Sequence, residues 1–458
     1  MSFAERFERI FRLIFPSPLA LALLLTLFVW LAAWLFSTEI SKDAAGMGQV
    51  LLFWRNGLWS SPLLVFAVQM MLILVLGHVL ALSAPVDRII QRLIRVCNNT
   101  PKSAAIVSFF TILVSLFNWG FGLVFGAILA RKVAEKAQNE GREIHYPLIG
   151  AAGYSGLMVW HGGISGSAPA KVAEAGHLKS LTNNEALAES LPDSLGYFDT
   201  VFSTMNVSVS VMLLVLLPFI LYFLGKRLKS KALKLKVKPV KNRTFVPVGA
   251  EHFDSARAFS WLFGVIILFM IAADLLGGSW AERSVFFNPN NINFLLLGLC
   301  FLFHKNLLAF GRALNQAIVG ASGILIQFPL YFGVMGVMSS SGLVAQLSNF
   351  FVSISTETTY PIFTFLSAGL INIFVPSGGG QWAVQGPIII QAANDLGVSL
   401  SKSIMAFAYG DQLTNMLQPF WALPLLAITG LKARQIIPYT LVLMVAGAAI
   451  FTFCLLVF

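Results

Sequence analysis

What most constrains this chain is the recurrence of apolar runs of helix length, near 17–37, 61–83, 147–165, 205–225, 257–278, 291–303, 315–339, 403–428 and 436–458. A helix that crosses a bilayer needs roughly 17–25 residues, and all of these but 291–303 supply them. A soluble fold cannot hide so many, because the fraction of surface it buries saturates with size. Soluble chains carry about 25% charged residues; here the figure is 11%, against 57% hydrophobic and a mean hydropathy of +0.79 over 458 residues. The same composition excludes a disordered chain, a coiled coil and a disulfide scaffold. Cys97, Cys300 and Cys454 show neither metal nor redox spacing and read as small core hydrophobes. The expected fold is an all-α polytopic membrane protein with about nine transmembrane helices.

The formal charge of +11 has to be read by location, because Lys and Arg concentrate in cytoplasmic loops. Arg6, Arg9 and Arg12 precede the first apolar run. That run is longer than a signal-peptide core of roughly 7–15 residues and no small-residue cleavage site follows it. An uncleaved first helix with a cytoplasmic N-terminus is expected. Segments 84–102 (Arg88, Arg92, Arg95, Lys102) and 131–142 (Arg131, Lys132, Lys136, Arg142) also read as cytoplasmic. So does 226–243, the most basic stretch, whose place is beside anionic headgroups and not on nucleic acid. The loop 170–200 is mainly acidic, and 340–358 has no Lys or Arg at all; both read as external.

Between two segments that share the cytoplasmic side, 103–130 cannot be a single crossing. It is interrupted by Asn118, Trp119, Gly120 and Gly122, so a re-entrant hairpin is expected there. Broken backbone at membrane depth is tolerated only where protein or a cavity satisfies the freed groups. The stretch 361–393, broken by Pro376, Ser377, Gly378, Gly379 and Gly380, has external flanks and reads as a second hairpin from the opposite side. Gln69 and Gln327, Gly126 and Gly386, Tyr154 and Tyr409, and Pro169 and Pro424 recur about 255–260 residues apart. Two inverted-topology repeats follow, 17–225 and 285–458, joined by a basic cytoplasmic loop and linking helix within 226–284. Paired interrupted segments of this kind point to a transporter's binding site.

Val375-Pro-Ser-Gly-Gly-Gly-Gln-Trp-Ala-Val-Gln-Gly-Pro387 carries the clearest chemistry. Three glycines let the chain reverse and a ligand approach the backbone. The helix restarting near Gln381 presents unpaired amides and a partial positive charge of about half an electron, a seat for a carboxylate. Asn118, Trp119 and Gly120 form the counterpart. The expected substrate-binding residues are Asn118, Trp119, Gly120, Ser377, Gly378, Gly379, Gly380, Gln381 and Gln385, with an apolar tail near Trp119 or Trp382. In Tyr409-Gly-Asp-Gln-Leu-Thr-Asn-Met-Leu-Gln-Pro419, Asp411, Asn415 and Gln418 share one helix face. A carboxylate inside a span is costly and usually faces an interior pathway. Asp411, with Thr414 and Asn415, is the expected coupling centre for a proton or Na⁺. In the first half, Trp160-His-Gly-Gly-Ile-Ser-Gly-Ser-Ala-Pro169 should unwind, adding His161, Gly163, Ser165 and Ser167 to that centre. No cofactor is expected beyond a bound Na⁺. An enzyme is not expected, since His161 and Asp411 have no nucleophile paired with them in the sequence.

The 375–387 segment, Gly153-Tyr-Ser-Gly-Leu-Met-Val-Trp-His-Gly-Gly163 and Tyr409-Gly-Asp-Gln412 together resemble the short-chain fatty acid transporter family of bacteria, along nearly the whole chain. The resemblance groups the chain with the ion-transporter superfamily. It implies a bacterial inner-membrane homodimer, hairpins meeting at the bilayer midplane, and elevator-type movement. The hairpins and the unwound helices 147–169 and 403–428 would be the moving part. Dicarboxylate carriers of that superfamily often have Ser-Asn-Thr at each hairpin tip. The tips here, Asn118-Trp-Gly120 and Ser377-Gly-Gly-Gly380, suit a small monocarboxylate with an apolar tail. The expected function is cation-coupled uptake of short-chain fatty acids such as acetoacetate or butyrate. Transport or export of another organic anion and a passive anion channel remain open as alternatives.

Overall fold

The computed structural model describes residues 17–182, 184–232, 235, 248–277 and 289–458. Arg6, Arg9, Arg12 and much of the basic run 226–243 lie outside the described residues, as does the start of the second expected repeat. In chain order the principal helices are α1 (Pro18–Phe36), α2 (Ala44–Leu58), α3 (Ser61–Ala81), α4 (Ala84–Ile94), α5 (Thr100–Phe117), α6 (Trp119–Asn139), α7 (Tyr146–Tyr154), α8 (Ser167–Val172), α9 (Thr204–Arg227), α10 (Arg257–Gly277), α11 (Pro289–Phe303), α12 (Leu307–Ala317), α13 (Ser322–Ser340), α14 (Leu343–Ser353), α15 (Tyr360–Asn372), α16 (Gly378–Asp395), α17 (Leu400–Thr414), α18 (Pro419–Thr429) and α19 (Ala433–Val457). Among the described residues the only β contact is the isolated bridge between Ile144 and Lys231.

Six helices, α1, α3, α5, α9, α10 and α19, are each long and apolar enough to cross a membrane, and α13 with α14, bent by 58°, makes a seventh candidate. The outward faces of α1 and α10 expose Leu27, Phe28, Leu31, Phe263 and Phe269, as helices facing lipid tails do. Of the nine runs read from the sequence, 147–165 and 403–428 are helices that break midway, and 291–303 lies in a helix of 15 residues. The composition of Ala44–Leu58 hides a further helix, α2, which packs on α13 where Gly57 meets the backbone of Gly333 and Gly336.

Each break has a local cause. Between α5 and α6, Asn118 is extended (φ −147°, ψ 122°) and caps the helix that follows, and α6 packs back along α5. Between α15 and α16 the chain passes Pro376, and Ser377 caps the restart. After α7 a single 3₁₀ turn, Ser155–Met158, gives way to irregular backbone through Gly162, Gly163 and Gly166 before α8. α17 stops at Thr414, and Pro419 opens α18. The broken helix α7 can nest in the first hairpin because glycines face glycines. A Cβ at Gly153 would lie 2.6 Å from the Gly126 carbonyl, and one at Gly122 or Gly156 would lie 2.0 Å from Ser115 Oγ. One order, a long helix, a short one, helix–break–helix, a broken helix and a final long helix, runs from α3 to α9 and again from α13 to α19.

Candidate functional site

The two hairpin tips face a common cavity of about 430 Å³. At the first tip, Asn118 Oδ1 accepts from the Phe121 amide at 2.9 Å, and Ser165 Oγ, reaching in from the unwound segment, accepts from the Trp119 amide at 3.1 Å. At the second tip, Ser377 Oγ accepts from the Gly380 amide at 3.2 Å and the Ser377 carbonyl from Gln381 at 2.7 Å. The amides of Gly378 and Gly379 find no acceptor among the described residues, and both glycines line the cavity. Those amides begin a helix of 18 residues, so its dipole adds to their attraction for an anion. Gln69, Asn118, Ser165, Ser167, Tyr197 and Ser377 add polar side chains to the lining. Phe66, Ile73, Trp119, Trp160, Ile164 and Trp421 supply the apolar part. The Lys171–Glu174 ion pair (2.9 and 3.1 Å) borders the cavity, with the Lys171 side chain half exposed.

Behind Gly378 lies a buried acid–imidazole pair. His161 Nε2 accepts from the Ala168 amide at 3.0 Å, so in the neutral ring the proton sits on Nδ1. Nδ1 then donates to Asp411 Oδ2 at 2.6 Å, and both side chains are fully buried. The second carboxylate oxygen, Asp411 Oδ1, is buried with no partner. Trp160 stacks on the imidazole (4.4 Å, 22°). A Cβ at Gly378 would fall 2.6 Å from Trp160 and 2.8 Å from His161, so the start of this helix packs directly on the imidazole and the indole stacked on it.

A second network ties the hairpin to the broken helices. Asn372 Nδ2 donates to the Asp411 carbonyl (2.7 Å), Thr414 Oγ1 (2.9 Å) and Asn415 Oδ1 (2.9 Å), while Thr414 donates to the Gly369 carbonyl at 2.9 Å. Gln418 Nε2 donates to the Asn372 carbonyl. Thr414 and Asn415 therefore hold the first arm of the second hairpin. Tyr154 Oη donates to the carbonyls of Asn415 (2.9 Å) and Gln418 (3.2 Å), satisfying groups freed by the break. Gln412 Oε1 accepts from the amides of His161 and Gly162 at 2.9 and 3.2 Å, and Asn206 Nδ2 donates to the Gly162 carbonyl at 2.8 Å.

The residues singled out from the sequence thus divide. Asn118, Trp119, Ser165, Ser167, Ser377, Gly378 and Gly379 share the cavity, and His161 and Asp411 pair beneath it. Gln381 instead donates to the Ala368 carbonyl (2.8 Å) and Gln385 Oε1 (2.7 Å), and Gln385 to Ser348 and Ser367, so both stitch the hairpin to itself and to α14. Gly120, Gly163 and Gly380 are contact points, against Ile73, the Leu116 carbonyl and Met335. Trp382 lies away from the cavity, its indole packed on Phe407 and donating to His177 Nε2 at 3.1 Å. Sequence reasoning passed over Asn206, Asn372, Gln412, Phe66 and Trp421. The lone amides at 206 and 372, each set in an apolar run, were the signal available for the first two.

Interrupted helices packed around a cavity with amides open to an anion define a membrane protein of the transporter class. The comparisons make this particular. The family model described as "Short chain fatty acid transporter" matches residues 3–458, and the chain belongs to that family. An Escherichia coli (strain K12) protein named "Putative short-chain fatty acid transporter" is 37% identical over 97% of this chain and 96% of its own length. One of the same name from Haemophilus influenzae is 34% identical, covering 95% of each chain. The crystal structure of the YdaH transporter of Alcanivorax borkumensis aligns with a TM-score of 0.44 at 15% identity, over 95% of this chain and 97% of that one.

Proposed function

We propose that the protein is a secondary active transporter that takes up small monocarboxylates of the acetoacetate or butyrate kind. The observation that carries this reading is the pair of free amides at Gly378 and Gly379, opening into a cavity walled by tryptophans. The amides and the dipole behind them would hold the carboxylate, and Trp119 and Trp160 would take the tail. Among the described residues Lys171 is the one cationic side chain in the lining, and Glu174 already pairs with it; this favours one carboxylate over two. Family membership and the recurring helix order support two inverted repeats, a homodimer in the inner membrane and elevator-type alternating access, as the resemblance implies.

Coupling would run through Asp411. Its Oδ1, buried without a partner, is the atom a proton would take, and its Oδ2 is joined to Gly378 through His161. Na⁺ is the second reading, favoured by Asn372 Oδ1 and Gln418 Oε1, which are also buried without partners in the same network. Such unpaired buried oxygens are costly unless something fills them.

Proteoliposomes given labelled butyrate, acetoacetate and succinate, first under a pH gradient and then under a sodium gradient, test the whole reading. Accumulation of the two monocarboxylates above equilibrium is expected, with succinate excluded. Flux that only equilibrates the substrate would make the protein a passive pathway. Asp411→Asn is expected to abolish gradient-driven accumulation, and retention of it would remove Asp411 from coupling.

A further inference from the structure

We propose that Trp421 sets the upper limit on acyl-chain length; the inference rests on the monocarboxylate reading given above. Three indoles meet in the cavity wall, with Trp421 5.0 Å from Trp119 and 6.3 Å from Trp160 between ring centroids. Two of them have other duties. The Trp119 amide is held by Ser165 at the first hairpin tip, and Trp160 stacks on His161. Among the described residues no hydrogen bond or ring stacking ties Trp421 to a hairpin tip amide, His161 or Asp411, and its Nε1 is buried without a partner. Its ring neighbours are Phe66 (6.2 Å), Phe328 (6.4 Å) and Phe420 (4.9 Å) besides the two indoles. What it offers the ligand is a wall.

The geometry gives that wall its meaning. Gly378 lies against Trp160, the place a Cβ would take being 2.6 Å from the edge of the indole. A carboxylate held on the Gly378 and Gly379 amides therefore sends its tail past Trp160 to the two indoles beyond it, Trp119 at 5.6 Å and Trp421 at 6.3 Å between centroids, and of these Trp421 is the one not fixed at a hairpin tip. Trp421 is only 4% exposed, and Phe328 and Phe420, at 1% each, stand behind it. Shortening Trp421 would open a dry apolar extension of the cavity instead of a path to solvent. Apolar cavities left by large-to-small substitution stay empty of water and accept apolar ligands. Each methylene that fits should raise affinity roughly four-fold, and one that does not fit is rejected by ten-fold or more.

The test uses the full chain in proteoliposomes and straight-chain acids from propionate to octanoate as competitors of labelled butyrate uptake. For the native protein, potency should climb roughly four-fold per carbon, reach a maximum at a short acid, and then fall. Trp421→Ala should move that maximum at least two carbons longer and raise the potency of octanoate relative to butyrate about ten-fold or more. Trp421→Phe, which keeps an aromatic ring in the cluster and so guards against loss of folding, should fall between. The same maximum in the native protein and in both variants would place the wall elsewhere and overturn the assignment. Competition by none of these acids in the native protein would instead overturn the monocarboxylate reading itself.

Discussion

Glycines 378, 379 and 380 are equivalent in the sequence and unequal in the fold. A Cβ at Gly378 would press on the rings of Trp160 and His161, which are stacked together and cannot yield separately. At Gly379 the nearest side chain is Ser167, 3.9 Å away, and at Gly380 the flexible methyl of Met335 and the capping Oγ of Ser377 both lie at 3.1 Å. Gly378→Ala should therefore cost the most. An overpacked contact of this kind costs roughly 1–3 kcal/mol, equivalent to about five- to 150-fold, and it would displace an amide of the seat. Gly379→Ala should raise the KM for butyrate only several-fold by narrowing the cavity, and Gly380→Ala, which crowds the Ser377 cap but does not line the cavity, should also cost less than Gly378→Ala. KM measured for the three variants in one vesicle preparation checks the order; an equal effect from all three would mean that the seat does not lie on Gly378. The sequence shows three adjacent glycines and hence a reversal of the chain. It cannot show which one touches His161, because that contact arrives from the other half of the molecule.

Elements show the same division between what is locally and remotely determined. The breaks at Asn118, Pro376 and Gly162–Gly163 are legible because the residues that cause them sit where the helix stops. α2 and α4 are harder. Ala44–Leu58 is too polar and too short to read as a span, and Ala84–Ile94 looks like a basic loop until Ile90 and Ile94 are seen buried together on one side of a helix. The segment after α8 was legible only as acidic. In the fold, Ala168 and Val172 of α8 and Leu178, Leu187 and Leu191 after it form a cluster with Trp382, Ile389 and Ile390 of the second hairpin. His177 closes that contact by accepting from the Trp382 indole, so its Nε2 must be unprotonated. Burial pushes the His177 imidazole below its ordinary value of 6.5; Lys171 acts in the same direction and Glu174 opposes. A group depressed in this way favours the docked state when neutral. Docking should be complete above pH ~6.5 and weaken as pH falls through the lower, docked value. Hydrogen exchange across 168–191, corrected for intrinsic rates, should show protection that declines as the pH is lowered below the ordinary imidazole value. His177→Gln keeps an acceptor without titrating and should flatten that dependence. An unaltered pH profile in this variant would assign the effect to another group.

At the scale of the whole molecule, the question is whether α3 and α13 stay in place while the hairpins and broken helices move. The polar side chains on α3 and α11 bind one another: Gln69 donates to Asn290 (2.8 Å), and Asn293 and Cys300 donate to the carbonyls of Gln69 (3.0 Å) and Leu76 (3.3 Å). Toward the hairpins and α18, α3 presents Phe66 and Ile73 and α13 presents Phe328, Tyr331 and Met335, which meet Trp421, Gly120, Phe420 and Gly380 mainly through apolar and ring contacts. Apolar contacts lack direction, so one set can be exchanged for another at little cost, whereas hydrogen bonds would have to break in the dry interior. This boundary is therefore suited to sliding, and one position on it is suited to a tether. A Cβ built at Gly77 on α3 lies 3.4 Å from the Cβ of Val124 on α6, close to the spacing of about 3.5–4.5 Å that a disulfide spans. The paired substitution Gly77→Cys and Val124→Cys, oxidised in vesicles, should stop butyrate uptake and leave butyrate binding in place, and reduction should restore uptake. Neither position lines the cavity, so the block would report movement and not loss of the site. Cys97, Cys300 and Cys454 are buried and free, which lets the native chain serve as the control for the oxidant. Undiminished uptake at full cross-linking would show that α3 and the first hairpin travel together, and the elevator would have to give way to a mechanism in which only the hairpin tips open and close.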